Sequence, residues 1–290
     1  TTEIYTLSLH DALPIYQNTF LLEPVSAENL VNNRNSRNFW CNVKGIGSWS
    51  LTGHSAEELS KKFTEMQDDS EVTAGFMWQK TTRESKKYQL RGEILSFIPV
   101  DKNVEIMLVT ITNTGRMAQT VTPTAAIPLY GRSADNIRDH RHVTSLLHRI
   151  ETTDTGVLVT PTLSFDERGH QVNHMTYYCV GWSGNGEKPV DFYPTAEDFV
   201  GEGGNFERPY AIVKNAEGVK AGTKIEGLEA VGGLHFSEIT LEPEEECSYL
   251  IFTGITEDIQ EIRNLSKTYT TREKVLEELE KTKAYWQEKV

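Results

Sequence analysis

From residue 16 to about residue 255 the chain alternates short apolar or β-branched runs with turn residues. Residues 105–112 (EIMLVTIT) read as a strand, closed by a turn at Asn113 and Gly115. Residues 157–160, 175–180 and 248–253 read the same way, with glycine and proline between the runs, as in GWSGNGEKP at 181–189. Many short strands, regular turn signals and few helical stretches predict an all-β fold, a large sandwich of antiparallel sheets.

Two regions carry the helical period instead. Ser55 and Glu58 have the spacing at which each side chain satisfies a backbone N–H of the other, which opens a helix. Leu59, Phe63 and Met66 follow at positions that share one helical face. After Gly254 the pattern changes for good. Thr256 is placed to cap a helix carrying Ile259, Ile262 and Leu265, and Thr270 to Glu273 form a second capping box. That box opens a Glu- and Lys-dense segment with Val275, Leu279 and Trp286 at helical spacing. An apolar stripe must be buried against something. No Gly or Asn stop signal precedes Val290, so the expected partner is sequence beyond it. The expected organisation is a β-sandwich over 16–255 and a helical segment over 256–290 whose apolar stripe needs a partner.

The first fifteen residues stand apart. TTEIYTLSLHDALPI matches, at every position, the in-frame translation of a short-read sequencing adapter. Residues 1–15 are therefore read as a non-native segment, with native sequence starting near Tyr16.

Composition narrows the partners. Of 290 residues, 38% are apolar and 24% charged, which suits a globular core. The net charge of −13 argues against nucleic acid or an anionic membrane as partner, because both need a basic face. No run approaches the ~18 apolar residues of a membrane span. Cys41, Cys179 and Cys247 are scattered and odd in number, unlike a disulfide framework or a zinc site. They suit a reducing compartment, so a cytoplasmic location is expected.

The densest polar segment holds Arg132, Asp135, Arg138, Asp139, His140, Arg141 and His142, followed by His148 and Arg149. Guanidinium forks recognise carboxylates, phosphates and hydroxyls through fixed paired donors. The segment reads either as a loop reaching a sugar, a phosphate or another domain, or as a hydrogen-bonded loop that ties two sheets together. His140 and His142, near Asp135 and Asp139, share a face in an extended chain and could chelate, but no third ligand has fitting spacing, so no metal is expected. Trp40 and Trp49, with two glycines in the stretch between them, are candidate sugar-stacking platforms; core packing is the alternative. Gly201 to Asn205 lacks the strand, helix and spacing of a phosphate loop and reads as a turn. No acidic pair can be assigned as general acid and base, so no catalytic residue is nominated.

Several segments, in order, resemble the amino-terminal domain of glycoside hydrolase family 94, the family of cellobiose, cellodextrin and β-1,3-glucan phosphorylases. They are the strand and turn at 109–115, the stretch 134–147, the pattern FVGEGGNFERPYA at 199–211, the late strand ending in LEPEEE at 241–246, and the helix ending in Lys283, Ala284, Tyr285 and Trp286. The resemblance implies a super-sandwich similar to galactose mutarotase, then linker helices, then an (α/α)6 barrel. It also implies an inverting phosphorylase: a barrel carboxylic acid protonates the glycosidic oxygen while inorganic phosphate attacks the anomeric carbon from the opposite face. Phosphate is then a co-substrate, and no metal or organic cofactor is required. The implied partners are a β-glucan or disaccharide, the protein's own barrel, and a second subunit in a homodimer. The competing expectation is a free-standing carbohydrate-binding or structural β-sandwich.

If residues 1–15 are adapter-derived, deleting them leaves the thermal midpoint unchanged. A loss of several degrees in a melting experiment would show that they belong to the fold.

Overall fold

The computed structural model describes residues 19–22, 37–133, 145–166 and 169–289. Its strands, in chain order, begin with β1 (Thr19–Phe20), β2 (Asn38–Val43), β3 (Gly47–Ser50), β4 (Asp69–Gly75), β5 (Trp78–Ser85) and β6 (Leu90–Phe97). They continue with β7 (Val104–Asn113), β8 (Gln119–Leu129), β9 (Arg132–Ser133), β10 (Arg149–Thr152), β11 (Gly156–Val159), β12 (Leu163–Asp166) and β13 (Gly169–Val172). The last are β14 (Thr176–Ser183), β15 (Asp191–Thr195), β16 (Lys224–Glu226), β17 (Ala230–His235), β18 (Ile239–Leu241) and β19 (Glu246–Thr256). The helices are α1 (Ala56–Ser60), α2 (Ala196–Val200), α3 (Tyr210–Lys214), α4 (Ile259–Thr268) and α5 (Arg272–Lys289).

Two large antiparallel sheets dominate. One has nine strands in the order β16-β10-β11-β14-β19-β7-β6-β5-β4, and the other six, comprising β15-β17-β8-β2-β3 with β18 beside β8. The strand period of two sorts the side chains of each sheet into two faces. Met107, Val109 and Ile111 of β7, Tyr177 and Cys179 of β14, and Tyr249 and Ile251 of β19 point into the space between the sheets. Phe39 and Cys41 of β2, Ala125 and Ile127 of β8, and Leu234 of β17 meet them from the other side. The sheets approach closely where β17 crosses β14. A Cβ on Gly232 would fall 2.2 Å from the Cβ of Cys179, so only glycine fits there.

The opposite face of the nine-stranded sheet is just as apolar. Ile106 and Leu108 of β7, Tyr178 and Trp182 of β14, and Leu250 and Phe252 of β19 form a second core with Ile262, Leu265, Tyr269, Val275 and Leu279 from the α4–α5 segment. This corrects the expectation that the stripe of the last helix awaits a partner beyond residue 290. Val275 and Leu279 are buried on the sheet itself, and Trp286 is half-buried. Tyr269, between the two helices, pins the layer. Its carbonyl accepts the Trp182 indole N–H at 3.0 Å, and its hydroxyl accepts a hydrogen bond from Lys102 Nζ at 2.7 Å. The six-stranded sheet is covered in the same way. Trp40, Ala126, Tyr193 and Val231 pack beneath α2 and α3 through Phe199, Ala211 and Ile212. The order of layers is helix, sheet, sheet, helix.

Three local expectations need correction. The helix opened by Ser55 stops at Ser60, and Phe63 has φ +68, so Leu59, Phe63 and Met66 never form a buried face. They are 47%, 85% and 71% exposed. The Glu58 side chain does not return to the cap. It is taken by Lys61 at 3.0 Å and Arg83 at 3.4 Å, while Ser55 still accepts from the Glu58 N–H. At the start of α4 the cap is Asp258, which accepts from the Gln260 N–H at 2.8 Å. Thr256 braces it, accepting from the Asp258 N–H at 2.9 Å. Finally, residues 181–183 of the punctuating run belong to β14, and the turn begins at Gly184.

Burying an aliphatic side chain of this size contributes about 1.5–3 kcal/mol, and truncating one leaves a cavity as well. Leu279→Ala is expected to cost the 290-residue chain about 2–4 kcal/mol in denaturant melts. A solvent-exposed helix would lose only a few tenths.

Candidate functional site

The polar segment singled out by its composition is entered from β8 and left into β10. After Leu129 the chain turns at Gly131, whose φ of +58 favours glycine. A Cβ there would also crowd His148 Nε2 at 3.3 Å. The turn carries Arg132 into β9, which pairs with β1 through Phe20↔Arg132 and Thr19↔Ser133. Just before it, the Tyr130 N–H donates to the Leu21 carbonyl at 2.7 Å. The Arg132 guanidinium is buried and lies 4.5 Å over the Tyr130 ring. Asp135, Arg138, Asp139, His140, Arg141 and His142 lie outside the described residues.

The chain returns at Ser145. His148 N–H donates to the Ser145 carbonyl at 2.9 Å, and the imidazole drops into the core at 1% exposure. Its Nδ1 sits 3.1 Å from the Leu228 carbonyl oxygen, which assigns the proton to Nδ1 in the neutral ring. Burial, then the positive charge of Arg132, pushes its pKa down to about 4, against a smaller upward pull from the Leu228, Gly131 and Tyr130 carbonyls. Arg149 stays at the rim, with Nε 3.6 Å from Glu226 and Nη1 bonded to the Leu146 and His148 carbonyls. The described part of this site is therefore a rigid foot: a stacked cation above a neutral, fixed imidazole. It can hold the segment it anchors, but it offers no proton donor near neutral pH.

The two tryptophans are not brought together. Trp49 pairs with Cys41, one position from Trp40, so the two indoles leave opposite faces of the sheet. Trp40 is 2% exposed under α2 and α3, and its Nε1 has no hydrogen-bond partner among the described residues. Trp49 is 1% exposed in the inter-sheet core and donates its N–H to Asp68 at 2.8 Å. The platform expectation fails for both, because each face of the six-stranded sheet is covered. At the Gly201 segment the turn reading agrees with the structure. Gly201, with φ +74, closes α2, and a shallow cleft of about 310 Å³ follows, lined by Gly203, Asn205, Arg208 and the half-exposed Tyr210.

One cluster escaped the sequence reading. On β15 and β17, Asp191 and His235 are cross-strand partners, with Oδ1 and Nδ1 2.7 Å apart. The Tyr193 hydroxyl lies 3.1 Å from the same Nδ1 and donates to the Ala216 carbonyl. Burial, then the Asp191 charge, pushes the Tyr193 pKa up. All three side chains are buried and engaged with one another, which makes them a clamp on the end of the sheet.

His148 supplies a pH test. Its unfolded value is near 6.5, so as pH falls the unfolded chain takes up the proton first, and stability present above pH 6.5 is lost on the way to pH 4. The loss is on the order of 3 kcal/mol at one pKa unit per 1.36 kcal/mol. Denaturant midpoints across that window are expected to fall more steeply for the wild type than for His148→Gln. Equal slopes would mean the imidazole takes up its proton as readily in the fold as in the unfolded chain.

Among the described residues no helix is long and apolar enough to cross a membrane. Comparison with known proteins adds the following. No curated protein matches the chain. Similar solved structures include a bacterial glucoamylase complexed with acarbose, at 10% identity and a TM-score of 0.46, covering 83% of this chain and 30% of that one. They also include a polysaccharide lyase, at 10% identity and a TM-score of 0.39, covering 79% of this chain and 26% of that one. The chain thus spans less than a third of the length of either. The family model of the glycosyl hydrolase 94 supersandwich domain matches residues 26–272, nearly the whole described sandwich, and the chain belongs to that family.

Proposed function

We propose that this chain is the non-catalytic sandwich of an inverting glycoside phosphorylase, whose complete form cleaves β-glucosides or β-glucans with inorganic phosphate and releases a sugar 1-phosphate. The observation that carries this reading is the family match over residues 26–272. The carboxylates support the non-catalytic part. A general acid must be free to face the glycosidic oxygen. Among the described residues the buried carboxylates are Glu58, Glu105 and Asp191, and each is already engaged, by Lys61 and Arg83, by Arg37, and by His235. In this reading the acid and the phosphate site belong to an (α/α)6 barrel that follows residue 290, no metal or organic cofactor takes part, and the protein works in the cytoplasm. The segment anchored by Arg132 and His148 faces that barrel or a neighbouring subunit.

The purified chain is expected to release no glucose 1-phosphate from cellobiose, laminaribiose or longer glucans with phosphate, and the chain joined to its barrel is expected to release it. In the joined protein, Arg138→Ala and His140→Ala lower activity while leaving the melting point of the 290-residue chain unchanged. Product from the chain alone would overturn the non-catalytic assignment. A gene that stops at Val290 would leave a free-standing carbohydrate-binding or structural module instead.

A further inference from the structure

Helix α4 does not close completely over the nine-stranded sheet. Between it and residues 101–104, at the start of β7, lies a cleft of about 270 Å³. Pockets for drug-sized ligands run to about 300–1,000 Å³, so this one suits a single small molecule. Val104 and Leu265 give it an apolar floor, and both are buried. Tyr178 reaches the same cleft by crossing a neighbouring strand. Its Cα partner on β19 is Gly254, and a Cβ there would fall 2.3 Å from the Tyr178 hydroxyl oxygen, so only glycine lets the ring pass.

Tyr178 is 3% exposed, yet its hydroxyl has no hydrogen-bond partner among the described residues. A buried polar group without a partner is unfavourable in a finished fold. Here the residue lines a cleft that a ligand can enter. Burial, then the Glu261 carboxylate, keeps the phenol protonated well above neutral pH, so it is a donor.

Unmatched charges surround this donor. The hydroxyl of Thr256 holds one oxygen of Glu261 at 2.6 Å and fixes the carboxylate. Lys102 donates to the Tyr269 hydroxyl at 2.7 Å, which leaves its other N–H donors free for a ligand. Asp101 adds a second carboxylate to the wall. None of Asp101, Lys102 and Glu261 has an ion-pair partner among the described residues. An uncharged ligand would leave both signs unmatched, and a ligand of one sign would match one and oppose the other. A molecule with an ammonium and a carboxylate matches both, through charge-assisted hydrogen bonds.

We propose that this cleft binds a small zwitterion, an amino acid in its free form. The ammonium faces Glu261, the carboxylate accepts from the Tyr178 hydroxyl and the Lys102 ammonium, and the carbon chain lies on Val104 and Leu265. This goes beyond the phosphorylase reading and does not depend on it.

Ligand-observed saturation-transfer NMR on the full chain tests this, with L-alanine and 4-aminobutyrate as probes that bracket the separation of the two charges. At least one is expected to saturate in the millimolar range. Ethylamine, propionate and glucose, which lack one or both charges, are expected to bind about tenfold more weakly or worse. Tyr178→Phe keeps the ring in the core and removes only the donor. It is expected to weaken binding about fivefold or more while leaving the melting midpoint unchanged, because no bond within the protein is lost. Glu261→Gln, on the exposed side of α4, weakens binding to a similar degree. Saturation by neither zwitterion overturns the proposal, as does glucose binding as well as the zwitterions, or an affinity indifferent to both variants. A midpoint several degrees lower in Tyr178→Phe overturns it too, since the hydroxyl would then already have a partner inside the fold.

Discussion

A sheet that is apolar on both faces cannot end its folding at a two-layer sandwich. Antiparallel sheets commonly leave one face to water and then read as alternating sequences. The three central strands of the nine-stranded sheet do not. Along β7 all ten residues from Val104 to Asn113 are buried, with Met107, Val109 and Ile111 facing the second sheet and Ile106 and Leu108 facing α4 and α5. The rest of the architecture follows from covering both faces. The six-stranded sheet closes one and the terminal helices close the other. The six-stranded sheet, apolar on its own outer face at Trp40 and Tyr193, then calls in α2 and α3.

Polar groups caught in this four-layer stack survive because they arrive with partners. Glu105 on β7 meets Arg37 ahead of β2, an ion pair that spans the two sheets. Glu58 sits between Lys61 and Arg83, and Asp191 faces His235 across a strand pair. Such pairs add little net stability over well-packed apolar residues, but losing one partner strands a buried charge. They therefore act on registration: each is satisfied in one alignment of the elements it joins. The Arg132–Tyr130 stack beside His148 differs, because there burial keeps the imidazole neutral and the cation adds to that effect.

How much of this could be read from the residues depends on the range over which each signal acts. The runs at 105–112, 175–180 and 248–253 are visible because two-sided burial makes them almost continuously apolar. The helical stripe of Val275 and Leu279 is equally visible, but a stripe says only that it is buried, not that it is received by β19, the strand just before the helices, and by β7, far back in the chain. The span from Leu59 to Met66 misled because spacing alone suggests a face, while the chain leaves helical geometry after Ser60. Trp40 and Trp49 misled because their closeness in sequence hides the hairpin register that sends them to opposite faces. Asp191 and His235 gave no local signal at all, since the pair exists only after β15 and β17 align. Of the polar segment from Arg132 to His142, Arg132 is legible as a cation but not as a buried one, because its place over the Tyr130 ring depends on the turn at Gly131.

The strand order also has a consequence for how the protein is made. β19 is the last of the described strands to leave the ribosome, yet it is a central strand, filling the gap between β7 and β14. Until residues 246–256 emerge, β7 offers a bare edge and two greasy faces, and Thr112 waits for Glu246 as its ladder partner. Long-range pairings of this kind slow folding and leave unfinished chains open to aggregation. Translation of the amino-terminal half therefore runs ahead of its own completion. Chaperone occupancy of nascent chains should concentrate on the interval between the synthesis of β7 and that of β19.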